Sequence, residues 1–174
     1  MDLTCMNRFS CRLALAISLM LTAVTVWADA LPAPTGDIIL SVDGKISRSN
    51  HDTSADFDLA MLDALPQSHY QTTHPWSETP HDYSGVLLRD LLSSLGATGD
   101  TVTAKALNDY QADIPVADAQ NYDILLATHV DGEVMDVRHK GPVWVMYPLD
   151  QHPELKKAAT YSVMVWHLRQ LSVN

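Results

Sequence analysis

Three basic or titratable side chains stand together at Arg138, His139 and Lys140. A guanidinium, an imidazole and an ammonium on one short loop can neutralise and hydrogen-bond a phosphate or a carboxylate. A second polar group is Asn108-Asp109-Tyr110. It reads either as a turn closed by an Asx side-chain bond or as one wall of a pocket shared with Arg138 and Lys140. His69, His74 and His81 fall within thirteen residues. Neutral imidazole is a good metal ligand, but this spacing fits neither an i, i+4 helical pair nor an alternating strand. They are expected to be surface histidines. HExxH, EF-hand, Gly-rich phosphate-loop and serine-nucleophile patterns are absent. Trp76 lies between Pro75 and Pro80, which makes it the tryptophan best placed to line a binding site.

The basic group needs a scaffold, and its flanks supply one. Ile124–Val130 and Val143–Tyr147 are apolar strand candidates, and Pro148 stops the second. Asp131-Gly132 suits a tight hairpin turn between them, and Gly141-Pro142 forces a bend. Upstream, the sequence predicts a strand over 38–42, a hairpin turn at Asp43-Gly44 and a helix over 59–65 capped by Asp56 or Asp58. A strand is expected over 70–73 and an ordered loop over 74–81, since two prolines argue against regular structure there. Leu87, Leu88, Leu91, Leu92 and Leu95 recur at three- and four-residue spacing before Gly96, the clearest helix of the chain. A strand over 101–107, a helical turn over 116–120, a short helix over 153–159 and a terminal strand complete the order. Short strands with few helices and no βαβ alternation predict a single α+β domain with mixed or antiparallel sheets.

Arg8 and Arg12, the apolar run 13–27 and the small-x-small Ala28-Asp29-Ala30 predict a signal peptide over residues 1–30, cleaved after Ala30. The run is too short for a bilayer span of about twenty residues. A proline-bearing tether over 31–36, poorly ordered, is expected before a domain over 37–174. Cys5 and Cys11 are the only cysteines, so the exported domain carries none. The net charge of −10 disfavours nucleic acid and anionic membrane as partners. Periplasmic or secreted localisation follows as an expectation.

Several stretches, taken in order, resemble the oxidoreductase molybdopterin-binding domain family, the sulfite-oxidase fold. Tyr83-Ser84-Gly85-Val86-Leu87-Leu88-Arg89-Asp90-Leu91-Leu92 is similar to the family's helix entry, and residues 106–119 to its Asp-Gly-Tyr … Ile-Pro segment. Leu125-Leu126-Ala127 through Met135 resembles its hairpin. Gly141 to Pro148 resembles its Gly-x-Pro-x-Arg-Leu-Val-x-Pro strand. The resemblance spans roughly residues 37 to 173 and implies the fold.

Two departures bear on chemistry. Catalytic members bind molybdenum through a cysteine after the strand that precedes the Gly-Val-x-Leu helix, where this chain reads Tyr70-Gln71-Thr72-Thr73-His74-Pro75. A threonine hydroxyl is no substitute for a soft thiolate. Trp144 stands where the family's strand carries an arginine. The expectation is therefore a module without molybdenum redox catalysis and without a cofactor. It would bind a small ligand or a periplasmic protein partner through His74, Trp76, Asn108, Asp109, Tyr110, Arg138 and Tyr147. The alternative the resemblance implies is an oxidoreductase that holds molybdopterin without a cysteine, with Arg138, His139 and Lys140 on its phosphate.

Overall fold

The computed structural model describes residues 31–174; the signal-peptide expectation lies outside them. Ten strands form two five-stranded sheets. In the first, β1 (Leu40–Gly44) lies between β2 (Ala55–Phe57) and β10 (Leu168–Val173), followed by β5 (Thr101–Ala106) and β6 (Gln111–Pro115). β1 and β10 pair in parallel, Ser41 against Gln170, so residues near both ends of the described chain meet in mid-sheet. The second sheet runs β3 (Gln67–His74), β4 (Ser77–Leu87), β7 (Leu125–Val130) and β8 (Glu133–Val134), with β9 (Trp144–Met146) also on β7. This is an α+β domain of mixed sheets, as the patterning predicts. Among the described residues no helix is long and apolar enough to cross a membrane.

The leucine stripe forms α2 (Leu88–Ser94). Leu88, Leu91 and Leu95 are wholly buried, while Arg89 and Asp90 face outward. Burial of each such leucine contributes about 1.5–3 kcal/mol. Gly96 then takes the left-handed φ of 59° that ends the helix. At the helix entry, Gly85 lies at a register shift between β4 and β7. A Cβ there would collide with the Leu126 carbonyl oxygen. The Gly of the Tyr-Ser-Gly-Val run is thus a close-approach position between two central strands.

Several local expectations are corrected. Residues 74–81 are not a loop but the tip of the β3–β4 hairpin, with Pro75-Trp76 as its turn. Pro80 is tolerated because it falls in the register break between Thr72 and His74, and β4 meets β7 only from Tyr83 onward. No ladder hydrogen bond needs its missing N–H. Asp43-Gly44 ends β1 and is no hairpin turn, because Lys45 continues onto the Val173 carbonyl. The first strand starts at Leu40 rather than residue 38.

The 31–36 segment is tied down, since the Thr35 and Gly36 N–H groups both donate to Asp58 Oδ2 at 2.8 Å. Asp58, not Asp56, caps α1 (Leu59–Asp63) by accepting from the Met61 N–H. The expected 153–159 helix divides into a 3-10 turn, Pro153–Leu155, and α4 (Ala158–Val163). α3 (Val116–Asn121) and the hairpin turn at Asp131-Gly132, with φ of 51° and 84°, agree with the sequence reading.

Candidate functional site

The hairpin tip of β3 and β4, the β5–β6 turn, the 3-10 segment Val137–His139 and the stretch after α4 bring the chemically capable side chains to two neighbouring cavities. Trp76, carried on the hairpin tip, is 42% exposed. Trp144, on β9 beside β7, is buried, and its Nε1 donates to the Met164 carbonyl at 3.1 Å. Trp166 follows α4 and meets Trp76 edge-on, with ring centroids 4.9 Å apart at 87°. Trp144 completes the group, 6.1 Å from Trp76 and 6.4 Å from Trp166. The three indoles form a wall.

On one side lies a cavity of about 340 Å³ lined by Trp76, Asn108, Tyr110, Tyr161, Met164 and Trp166 with their neighbours. Its position follows from local chain chemistry. Asp109 adopts a left-handed φ of 64° in the β5–β6 turn, and Asn108 Oδ1 accepts from the Tyr110 N–H at 3.2 Å. This is the expected Asx turn. It throws the Tyr110 ring across to α4, where its hydroxyl donates to the Ser162 carbonyl at 2.8 Å.

On the other side a cavity of about 310 Å³ is lined by His74, His81, Tyr83, Arg138, His139, Lys140 and Trp144 among others. Trp76 N–H donates to His74 Nδ1 at 3.2 Å, and His74 Nε2 lies 3.0 Å from the Tyr83 hydroxyl. A neutral His74 therefore carries its proton on Nε2 and donates it to Tyr83. Burial, then the charges of Lys140 and His81, push the His74 pKa down to about 4, which keeps it neutral. Burial and the nearby Asp131 raise Tyr83 to about 12. His81 Nδ1 sits 2.7 Å from Asp131 Oδ2, and that bond holds the Asp131 carboxyl below its usual range.

Lys140 takes a left-handed φ of 69° and lays its ammonium on the indoles. Nζ is 4.5 Å from the Trp144 centroid, 5.5 Å from Trp76 and 6.0 Å from Trp166. Burial lowers its pKa. Neither Lys140 nor Arg138 has an ion-pair partner among the described residues, whereas His139 is held by Asp136 Oδ1 at 2.7 Å.

The structure thus brings His74, Arg138, His139 and Lys140 together, and Trp76, Asn108 and Tyr110 together, but not in one pocket. The shared pocket considered from sequence is corrected: the indole wall stands between the two groups. Asp109 faces neither cavity, because it pairs with Arg169 and Lys105, both at 3.0 Å. Tyr147 also lines neither; it is 1% exposed, and its hydroxyl is buried without a partner among the described residues. The histidines do not gather as a metal centre, and no group of three or more metal-ligating side chains exists among the described residues. His74 is buried rather than on the surface. Tyr161, Met164 and Tyr83 were not foreseen as lining residues. The aromatic density of Tyr161 to Trp166 was the available signal.

Where the resemblance places a molybdenum-binding cysteine, both threonine hydroxyls are already engaged. Thr72, fully buried, donates to the Thr73 carbonyl at 3.0 Å and accepts from the Asp150 N–H at 3.3 Å. Thr73 gives its N–H and hydroxyl to Asp150, both at 2.7 Å. Asp150 is held at about 2, chiefly by the Lys156 ammonium.

The family model described as oxidoreductase molybdopterin binding domain matches residues 39–150. The chain belongs to this family. The crystal structure of the sulfane dehydrogenase SoxCD from Paracoccus pantotrophus superposes with a TM-score of 0.59 at 16% identity. The match covers 83% of this chain and 40% of that one, so the chain spans well under half of that protein. At that identity the likeness shows the fold alone. No curated protein matches in sequence.

The donor set does not fit the way the resemblance implies that catalytic members hold molybdenum. Residues 31–174 contain no cysteine, and Thr72 and Thr73 offer hard oxygens already bonded within the protein. Trp144, in the place of the family's arginine, gives an indole N–H that is spent on Met164.

Proposed function

We propose that this molybdopterin-binding-domain relative is an exported module that binds a small ligand or a protein partner and does not run molybdenum redox chemistry. One observation carries the reading. The position of the soft sulfur donor is taken by threonines whose hydroxyls are committed to Thr73 and Asp150. Without a thiolate the oxidised metal loses its protein anchor. The indole-walled cavity beside Trp76 is a ready binding site on the same surface. Export rests on the signal-like residues 1–30.

A second reading has its own support. Arg138 and Lys140 share a cavity and have no carboxylate partner among the described residues, an arrangement suited to a cofactor phosphate. Elemental analysis separates the two. Protein purified from a host able to make molybdenum cofactor is expected to carry none. Stoichiometric molybdenum, or a fluorescent oxidised pterin released on denaturation, would overturn the first reading. Recovery of the protein in the cytosolic fraction would overturn export.

A further inference from the structure

We propose that the cavity between Trp76, Tyr110, Tyr161 and Trp166 binds an uncharged, planar ring compound. This rests on the non-catalytic reading above and names its ligand class. Four aromatic side chains line the space, and none of its lining residues carries a charge. At about 340 Å³ it holds a ligand of one or two fused rings.

Charge excludes the alternatives. An anion would leave water for a lining without a cationic donor and would face the negative faces of the indoles. Asp109, the nearest carboxylate in sequence, is neutralised by Arg169 and Lys105, so it attracts no cation into the space. The indole wall itself would draw an organic cation. Here that role is already filled, because the Lys140 ammonium lies 5.5 Å from the Trp76 ring and 6.0 Å from the Trp166 ring. A second cation would meet its repulsion. An anion, though drawn by the same charge, would find no cationic hydrogen-bond donor in the lining, because Lys140 is not part of it. A neutral ring meets none of these costs.

The polar decoration is sparse and directional. Asn108 Oδ1 is occupied by the Tyr110 N–H, which leaves the Asn108 NH2 as a donor in the lining. The Ser162 carbonyl is taken by the Tyr110 hydroxyl. One hydroxyl or carbonyl oxygen on the ring edge would accept from that amide.

Three probes of one ring system and different charge test this: 2-naphthol, 2-naphthalenesulfonate and 2-naphthylmethylammonium. Their dissociation constants are measured by ligand-observed NMR on the full exported chain. The expectation is that 2-naphthol binds more tightly than either ion by about tenfold or more, the scale of one unpaired charge contact. Tyr110→Ala should weaken it by about tenfold, one lost aromatic contact, while the chain stays folded with a modest loss of melting temperature from the Ser162 carbonyl bond that goes with the ring.

Tighter binding of the sulfonate, tighter binding of the ammonium, no binding of 2-naphthol, or binding that Tyr110→Ala leaves intact would each overturn the proposal. Molybdenum analysis of the same preparation keeps the two readings apart. Metal-free protein that ignores 2-naphthol fails the ligand class only, whereas stoichiometric molybdenum fails the reading beneath it.

Discussion

The Lys140 ammonium rests 4.5 Å from the centre of the Trp144 ring, and no carboxylate among the described residues pairs with it. In a chain of net charge −10 that is a deliberate use of an indole as counter-surface. It also places a positive charge beside His74, whose proton affinity it lowers. Lys140→Met keeps the stem and deletes the charge. His74 should then titrate above its present value of about 4, read from its imidazole resonances by NMR. An unmoved titration would mean that burial and His81 set the value without Lys140.

The same histidine should shape stability against pH. Its folded pKa of about 4 lies below the 6.5 of an unfolded histidine, so the unfolded chain binds more protons between those values. Stability should therefore be full above about pH 6.5 and fall as pH drops toward 4. Asp150, held at about 2, contributes stability that is present above the unfolded carboxylate value near 3.8 and is lost below it. Thermal unfolding of the wild type and of His74→Gln over pH 7 to 4.5 separates the two. The variant should lose most of the slope in that window, and retention of the full slope would clear His74.

The tryptophans of the wall should differ sharply in their structural weight. Trp144 is buried on β9 with a satisfied Nε1, and Trp144→Ala is expected to cost about 3–5 kcal/mol. Trp76 is 42% exposed and keeps mainly its edge-on contact with Trp166, so Trp76→Ala should cost about 1 kcal/mol. Urea unfolding measures both. Equal losses would make Trp76 a core residue and remove it from the candidate site.

Tyr147 presents a case where deletion helps. Its hydroxyl is buried without a partner among the described residues, and burial raises its pKa. Tyr147→Phe removes an unpaired polar atom and keeps the ring, which should leave stability unchanged or raise it by about 1 kcal/mol. A drop in melting temperature would point to a bridging water.

Much of this arrangement was open to reading in the sequence. The leucines of α2 announce their helix because the signal is local and repeated five times. The family was visible in ordered short motifs such as Tyr83 to Leu92. The β3–β4 hairpin was hidden, because Pro80 argues against a strand unless one knows that β7 stops short of it. The basic trio was legible as a group. Its separation from Tyr110 was not, since the wall is built from residues 76, 144 and 166, and only long-range pairing brings those together. Tyr161 escaped notice because its stretch is apolar and aromatic without a clear period. For Asp109 the sequence leaves a turn and a pocket wall both open, and it does not show the ion pair with Arg169, which spans sixty positions.

The parallel partnership of β1 and β10 has a consequence for biosynthesis. β10 sits between β1 and β5, so the β2-β1 and β5-β6 pairs cannot join into one sheet until residues 168–173 have been made. A nascent chain shorter than that presents two open strand edges with no partner between them. The first sheet therefore closes only once β10 has docked, and loss of residues 168–173 would split it into two separate pairs of strands rather than trim a dispensable tail.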